Sequence, residues 1–328
     1  MLHVGVIGAG AIGGQLAALL DRGGLRVSVT ARGDSLAAMQ AEGLRLMGST
    51  GEHVARVEAA AALPESSPPD LVILTTKASD TAEALDANPV ARRVPVLVVQ
   101  NGLDAHGRVA RLVGHDRVAA GISTTAANSL EPGLVNVTAS GRLFIGGAER
   151  ARFAQLLSPA VPDVTEIENL VGAQWTKLVI NMVNAPPAVV GLSVQQSVAD
   201  ADVRRVITAS MREAARIGLA SGVRFEPLQG LTPNIIRMLA RAPYWASEQV
   251  PKRMARTMGD VPNLGSTQQS LARGRLTEVD ILNGAVVEAG RSASIAAPVN
   301  AAVTRLVHER EQGRPALTPA EFRSAVSE

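Results

Sequence analysis

The sequence contains no cysteine and few aromatic residues, and each absence excludes a class of protein. Without cysteine, the chain of 328 residues has no disulfides, no thiolate metal ligands and no cysteine nucleophile. Phe, Trp and Tyr together make up 2% of the chain, so the mixed basic and aromatic pattern of single-strand nucleic-acid proteins is missing. The net charge of +2 also gives no reason to expect a nucleic-acid or membrane partner.

Long apolar runs and known hydrolase or metal motifs are absent as well. No run reaches transmembrane length and no signal-like segment opens the chain, so we expect a cytoplasmic protein. The sequence lacks H-E-x-x-H, G-x-S-x-G and a P-loop, and we expect no metal. Hydrophobic residues make up 46% and charged residues 19%, which is enough to bury a full core in about two domains.

The first twenty residues predict a strand, a tight turn and a helix. The apolar run ends at a G-x-G-x-x-G motif formed by Gly8, Ala9, Gly10, Ala11, Ile12 and Gly13. Gly8 would permit the turn, Gly10 would let the backbone approach a pyrophosphate, and Gly13 would allow close helix packing. The N–H groups around residues 11–13 would face the phosphates. A purely structural glycine turn gives the same string, but the flanking strand and helix favour dinucleotide binding.

Arg32 indicates which dinucleotide is preferred. It follows the second predicted strand (25–30), where an NAD-binding unit would carry an acidic residue for the ribose. A guanidinium suits a 2′-phosphate instead, so we expect NADP; the alternative is a solvated loop arginine. Lys77 and Asn101 follow two further strands, 70–76 and 95–99, where ligands of such sheets bind. Taken singly, they could also be a surface lysine and a turn asparagine.

Strands that alternate with helices predict a doubly wound α/β fold. Strands are also predicted at 121–125, 133–137 and 142–146, the last two as a hairpin. From residue 172 onward the pattern is helical, with helices at 247–254, 267–273 and 278–289 among others. The sequence therefore predicts an NADP-binding Rossmann-type domain over residues 1–169 and an all-helical substrate and catalytic domain over residues 170–328.

Two polar clusters in the helical half could carry chemistry. Lys177, Asn181 and Asn184 are predicted on one helix beside its apolar stripe. Lys177 is the candidate proton donor, since burial of a lysine lowers its pKa towards neutrality. The second cluster includes Asn263, Ser266 and Glu278. Ser266 could instead be a helix N-cap and Glu278 a first-turn carboxylate.

The sequence resembles the ketopantoate reductase family across nearly its whole length. The segments that carry the resemblance are GVIGAGAIGG, TTKASDT, VVQNGLD, WTKLVINMVN and NLGSTQQSLARGRLTEVDILNG. The resemblance implies NADPH-dependent reduction of 2-dehydropantoate (ketopantoate) to pantoate, in pantothenate and coenzyme A synthesis. It implies that Lys177 is the catalytic acid and Glu278 its acidic partner. It further implies substrate or cofactor contacts at Asn101, Asn181, Asn263 and Ser266, and cofactor contacts at Arg32, Lys77 and Ala127.

The sequence departs from the family pattern around the expected substrate. The family commonly has two asparagines four apart after the lysine, whereas Asn181 and Asn184 are three apart. The family's S-S-M-x-x-D reads GSTQQS at residues 265–270. These differences leave open a related reductase of another 2-keto acid. Because a fold does not determine a function, a non-catalytic NADP-binding regulator is a further alternative, against which Lys177 and Glu278 argue. The small-molecule substrate is the expected partner, and a homodimer is left open.

Overall fold

The computed structural model describes residues 1–258 and 262–327. The chain forms two compact units, Met1–Leu170 and Val171–Glu328. The first unit contains the strands and the second is helical. Within the described ranges, none of the helices is long and apolar enough to cross a membrane.

The first unit is built on an eight-stranded sheet and a separate four-stranded sheet. The order of the large sheet is β12-β11-β8-β7-β6-β1-β2-β5, and all of its pairs are parallel except that of β8 with β11. The strands are β1 His3–Ile7, β2 Arg26–Thr30, β3 Leu44–Gly48, β4 His53–Ala55, β5 Glu58–Ala60, β6 Leu71–Leu74, β7 Val96–Val98, β8 Val118–Ser123, β9 Ala126–Asn128, β10 Leu134–Ala139, β11 Leu143–Gly147 and β12 Val164–Glu166.

The helices of this unit cover both faces of the large sheet. They are α1 Ala11–Arg22, α2 Gly33–Glu42, α3 Thr81–Asp86, α4 Ala105–Val113 and α5 Arg150–Leu157. In β6, Leu71 and Ile73 pack in the core with α1, whereas Val72 and Leu74 pack in the core with α3 and α4. A strand buried on both faces is typical of parallel sheets. The predicted doubly wound α/β fold is therefore confirmed.

The carboxyl ends of three central strands lie level with one another. Ile7 of β1 pairs with Thr30 of β2 and with Leu74 of β6. The residues that follow these strands, including Gly8, Arg32 and Lys77, consequently start at one edge of the sheet. This is the edge at which open α/β sheets bind ligands.

The predicted hairpin between residues 133–137 and 142–146 is wrong. β10 pairs with β3 and β9 in the small sheet, whereas β11 pairs with β8 and β12 in the large one. Val135 and Val137 of β10 are buried beside α1, and Ile145 of β11 is buried in the large sheet. Alternating burial predicts a strand correctly, but its partner is decided by contacts distant in sequence.

The second unit is all helical, as predicted. Its helices are α6 Leu170–Asn181 (whose first residue belongs to the first unit), α7 Ala185–Val190, α8 Val194–Ala199, α9 Ala201–Ala220, α10 Pro233–Arg241, α11 Tyr244–Ser247, α12 Gln249–Thr257, α13 Ser266–Ala272, α14 Asn283–Ser292, α15 Pro298–Glu311 and α16 Pro319–Ser327. The long α9 packs against α10, α14, α15 and α16.

Two of the predicted helices are each divided in the structure. The helix predicted over 247–254 is replaced by the end of α11 and by α12, with Glu248 between them. The helix predicted over 278–289 is a short 3₁₀ turn, Val279–Ile281, followed by α14. Glu278 therefore precedes a tight turn and is not in the first turn of a long helix. Leu282, with ψ −88°, interrupts the helical path.

Candidate functional site

The glycine turn after β1 is held in place by two threonines. Gly8 has φ +102°, a conformation that favours glycine. Its N–H donates to Oγ1 of Thr30 at 3.1 Å, and the N–H of Ala9 donates to the Thr30 carbonyl at 3.2 Å. The hydroxyl of Thr75 donates to the Gly8 carbonyl at 2.6 Å. The turn is thus tied to β2 on one side and to the end of β6 on the other.

The second and third glycines of the motif have different surroundings. A Cβ on Gly13 would lie 2.0 Å from the Gly8 carbonyl oxygen and 2.2 Å from Oγ1 of Thr75, so the helix can approach the strand this closely only at glycine. A Cβ on Gly10 would meet no atom within 4 Å. The backbone at Gly10 is therefore open to a ligand, which fits a bound pyrophosphate.

The N-terminus of α1 has the features of an anion site. The first N–H groups of a helix, here those of Ala11, Ile12 and Gly13, have no partner within the helix. The N-cap is Gly10, no side chain caps the helix, and its first turn contains no acidic residue. The helix dipole would then favour a phosphate at this end. The geometry fits the dinucleotide that the sequence motif predicts.

Arg32 lies at the N-cap of α2 and is mostly exposed. Its guanidinium pairs with Glu83 of α3 at 2.7 Å, and the two side chains are 67% and 69% exposed. Exposed ion pairs of this kind contribute about 0–1 kcal/mol. The pair holds the Arg32 guanidinium beside α3, in the loop that follows β2.

The loops after β6 and β7 are joined by Gln100, which is not among the predicted site residues. Nε2 of Gln100 donates to the Thr76 carbonyl at 2.8 Å and to Oγ1 of Thr81 at 2.9 Å. Lys77 and Asn101 adjoin these anchored residues and are both half-buried. Position at a strand end was the available signal for Gln100, since it directly precedes Asn101. Gln100 fixes the two loops that carry the candidate cofactor residues.

Ala127, the remaining candidate in this unit, lies in the small sheet. It is part of β9 and pairs with Val137 of β10. Its side chain is half-buried and packs against the core that contains α1. Ala127 therefore belongs to the small sheet and is not part of the large sheet's strands.

In the second unit, Lys177 lies on a helix that is firmly anchored. Trp175 packs edge-on against Phe225, with ring centroids 6.4 Å apart. The hydroxyl of Thr176 donates to the Glu226 carbonyl at 2.6 Å. Burial lowers the pKa of Lys177 from 10.5 to about 8, because the charged ammonium is poorly solvated there. A lysine whose pKa lies near neutral pH can both hold and release a proton.

The structure brings the candidate amides of this unit together. Asn181 lies one helical turn after Lys177, at the end of α6, and is buried. Asn184 is not on that helix, contrary to prediction, because α6 ends first; Asn184 is the N-cap of α7. Its Nδ2 nevertheless donates to Oδ1 of Asn181 at 3.4 Å. A Cβ on Gly265 would lie 3.1 Å from Oδ1 of Asn184, so the loop before α13 passes beside this pair.

The loop that contains Asn263 and Ser266 is fixed to the start of α8. Val194 donates its N–H to the Asn263 carbonyl at 2.9 Å, and the Asn263 N–H donates to Oε1 of Gln195 at 2.9 Å. Ser266 is exposed and is the first residue of α13, whereas the N-cap is Gly265. The N-cap interpretation of Ser266 is therefore wrong. Ser266 directly follows Gly265, the residue that passes beside Asn184.

Glu278 lies on another segment, at the N-cap of the turn Val279–Ile281. It is half-buried, and its carbonyl accepts the N–H of Leu282 at 3.1 Å. The turn is held by Glu311 and His308 of α15, which bond to Thr277 and Asp280. The described residues include no group of three or more His, Asp or Glu side chains arranged to hold a metal ion.

Comparisons with known proteins agree with this architecture. The family model described as "Ketopantoate reductase PanE/ApbA" matches residues 4–150, and the model of its C-terminal part matches residues 169–311. A 2-dehydropantoate 2-reductase of Mesorhizobium japonicum is 31% identical, with 93% of this chain and 97% of the relative covered. One of Pyrococcus horikoshii is 28% identical, with 94% and 98% covered.

Solved structures of similar proteins share this fold over nearly the whole chain. The PanE/ApbA family ketopantoate reductase from Ralstonia eutropha JMP134 has a TM-score of 0.81 and 30% identity, with 95% of this chain and 99% of that chain covered. D-mandelate dehydrogenase with NADH and anilino(oxo)acetate has a TM-score of 0.79 at 19% identity and 95% and 99% coverage, which shows a shared fold. The fold and these matches define an oxidoreductase. The chain belongs to the ketopantoate reductase family.

Proposed function

We propose that the protein reduces ketopantoate to pantoate with NADPH, in the cytoplasmic synthesis of pantothenate and coenzyme A. The observation that carries the proposal is the lowered pKa of Lys177, one helical turn before Asn181, in a member of this family. NADPH would supply a hydride to the carbonyl carbon of the substrate. The protein must then supply a proton to the carbonyl oxygen and hold the substrate in place.

Lys177 is the proposed general acid. With a pKa of about 8 it is mostly protonated at neutral pH, and its proton is far more readily donated than that of an exposed lysine. The ammonium would first bond to the carbonyl oxygen and then protonate it as negative charge develops. Glu278 is the proposed acidic partner, on the family resemblance carried by the segment that contains TEVD at residues 277–280.

Neutral polar groups are proposed to orient the substrate. Asn181, Asn184, Asn263 and Ser266 offer amide and hydroxyl groups, which can bond to the carboxylate and hydroxyl of a 2-keto acid. The bond from Asn184 to Asn181 restricts two of these amides before substrate arrives, and the bond from the Asn263 N–H to Gln195 fixes the backbone at Asn263. Such preorganisation lowers the entropic cost of binding.

The first unit is proposed to hold the dinucleotide. Gly10 and the N–H groups of residues 11–13 would bind the pyrophosphate, and Arg32 the 2′-phosphate. Lys77, Asn101 and Ala127 are further proposed cofactor contacts on the family resemblance, with Asn101 also proposed to contact substrate. The open space at Gly10 and the absence of an acidic residue in the first turn of α1 support this proposal.

A related reductase of another 2-keto acid is the second candidate. The family's second asparagine would fall four residues after Asn181, where this chain has Ala185, a buried residue in the first turn of α7. An alanine there cannot hydrogen bond to a substrate hydroxyl. A panel of 2-keto acids with and without distal hydroxyl groups separates the two candidates by kcat/KM.

Arg32→Ala is expected to raise the KM for NADPH about ten- to hundredfold while changing that for NADH little. A charged hydrogen bond to phosphate contributes about 1.5–3 kcal/mol, and NADH lacks the 2′-phosphate. Steady-state kinetics with both cofactors measure the effect. Arg93→Ala is the matched control, because Arg93 forms an exposed pair with Glu65 in the same unit at 3.4 Å. Equal losses with NADPH and NADH would contradict the role of Arg32.

The pH dependence of the reaction should follow Lys177. Reduction needs the protonated amine, so kcat/KM should fall as pH rises through about 8. Oxidation of the 2-hydroxy acid needs the free amine and should increase over the same range. Rates of both directions between about pH 6 and pH 10 provide the measurement. A reduction rate that stays level well above the pKa would exclude Lys177 as the acid.

A further inference from the structure

The turn that carries Glu278 is bracketed by two side chains of α15. On one side of Glu278, the Thr277 N–H donates to Oε1 of Glu311 at 2.6 Å. On the other side, Asp280 bonds to Nε2 of His308 at 2.9 Å. His308 and Glu311 also bond to each other, since Nδ1 of His308 lies 2.8 Å from Oε2 of Glu311. We call these three contacts, among Thr277, Asp280, His308 and Glu311, the bracket. One histidine thus links both ends of a four-residue segment.

The bracket requires a particular protonation state of His308. Each ring nitrogen faces a carboxylate oxygen, and a carboxylate can only accept, so both bonds form only with the doubly protonated imidazolium. The bond to Glu311 raises the pKa of His308 above its usual value; burial opposes this and Asp280 adds to it. Burial acts to raise the pKa of Glu311, but the bonds from Thr277 and His308 outweigh it and lower that pKa.

Other charged groups on the elements around α15 have their own partners. Glu213 of α9 accepts the N–H groups of Val299 and Asn300, at the opposite end of α15. Other pairs are Arg291 with Glu288 on α14, Arg323 of α16 with Asp202, and Arg305 with Glu309 on α15 itself. Arg310 of α15 donates to the carbonyl groups of Ala188 and Arg314. α7 has no charged residue. The charged groups bonded to the His308 ring are Asp280 and Glu311.

We propose that His308 is a positioning residue for Glu278. By joining Asp280 to Glu311, the imidazolium holds both flanks of Glu278 and fixes the direction of its carboxylate. The inference rests on the proposed function, because Glu278 is assigned there as the acidic partner of Lys177. Side-chain exposures of 39% for His308 and 10% for Glu311 leave the imidazole accessible to protons while its partner is enclosed.

The bracket has a pH dependence with a definite sign. A histidine whose pKa is raised in the folded protein stabilises the fold fully below its unfolded pKa of about 6.5. This contribution is lost as pH rises through the folded pKa. Positioning of Glu278 by His308 should therefore be complete in mild acid and disappear in alkali.

The test compares His308→Gln and Glu311→Gln with the wild type. Glutamine at position 308 cannot carry the positive charge, and glutamine at position 311 still accepts from Thr277 but loses its charge. The matched control is His53→Gln, since His53 also pairs with a carboxylate, Asp21, at 2.7 Å in the first unit. The readouts are kcat and KM for NADPH-dependent ketopantoate reduction from about pH 6 to pH 9.5, and hydrogen exchange of the Thr277 amide.

At about pH 6 the two variants should show kcat lowered about tenfold with the KM for NADPH unchanged, and the deficit should vanish by about pH 9.5. His53→Gln should match the wild type throughout. A deficit that is constant with pH, or none at all, would overturn the proposal, even if both variants have a lower melting temperature.

Hydrogen exchange separates this inference from the proposed function. The Thr277 amide should exchange faster in His308→Gln than in the wild type at acidic pH, whether or not the protein is an active reductase. Unchanged exchange would refute the bracket itself. A wild type without reductase activity would refute the proposed function, and with it the positioning role, while exchange would still report whether the bracket forms.

Discussion

Replacing Lys177 with methionine should lower kcat for ketopantoate reduction by about 10²–10⁴-fold, the usual contribution of a general acid. The substitution keeps a long flexible side chain and removes the proton. It should also stabilise the fold, since holding a protonated amine whose pKa is lowered from 10.5 to about 8 costs up to about 3 kcal/mol at neutral pH. A variant that is less active and yet more stable is the signature of a functional lysine.

The control for this prediction is Lys252→Met. Lys252 lies on α12 in the same unit and pairs with Glu248 at 2.8 Å. Its removal should leave kcat unchanged and lower the melting temperature slightly, because a partly exposed pair contributes little. Full activity in Lys177→Met, or an equal loss in both variants, would reject Lys177 as the acid.

Substitution of two glycines of the same motif should affect different properties, stability for Gly13 and NADPH binding for Gly10. Gly13→Ala is expected to lower the free energy of unfolding by about 3 kcal/mol, because the new Cβ would overlap the Gly8 carbonyl oxygen at 2.0 Å. Gly10→Val should leave stability almost unchanged, since position 10 has φ −76° and open space around it. The valine would instead fill the space proposed for the pyrophosphate and weaken NADPH binding about ten- to hundredfold.

Urea unfolding and fluorescence titration with NADPH measure these two effects separately. The expected result is loss of stability for Gly13→Ala and loss of affinity at wild-type stability for Gly10→Val. Wild-type NADPH affinity in Gly10→Val would show that the dinucleotide does not lie against this turn. Unaltered stability in Gly13→Ala would contradict the close packing of α1 on the turn.

Features of the first unit that depend on local pattern could be predicted from the sequence. An apolar run that ends at Gly8 and then changes to helical spacing is specified within twenty residues. Strand partners were less predictable: β10 and β11 are adjacent in sequence but belong to different sheets. Thr30, Thr75 and Gln100, which hold the ligand edge, act through tertiary bonds that no short motif encodes.

For the candidate site of the second unit, the sequence predicts the residues and their chemistry better than their positions. Lys177 and Asn181 do share one helix, and burial does lower the pKa of Lys177. The predicted helix extends to Asn184, which is instead the N-cap of α7, because nothing in the apolar spacing shows where α6 ends. The bracket around Glu278 joins residues 277–280 to residues 308 and 311, a separation at which sequence spacing carries no information.

The most direct test of the proposed reductase activity measures NADPH oxidation by the wild-type protein with ketopantoate, beside a panel of other 2-keto acids and with NADH in parallel. We expect ketopantoate-dependent oxidation that is faster with NADPH than with NADH and is lost in Lys177→Met. A protein that binds NADPH but reduces no member of the panel would contradict it, and would instead indicate a non-catalytic NADP-binding regulator.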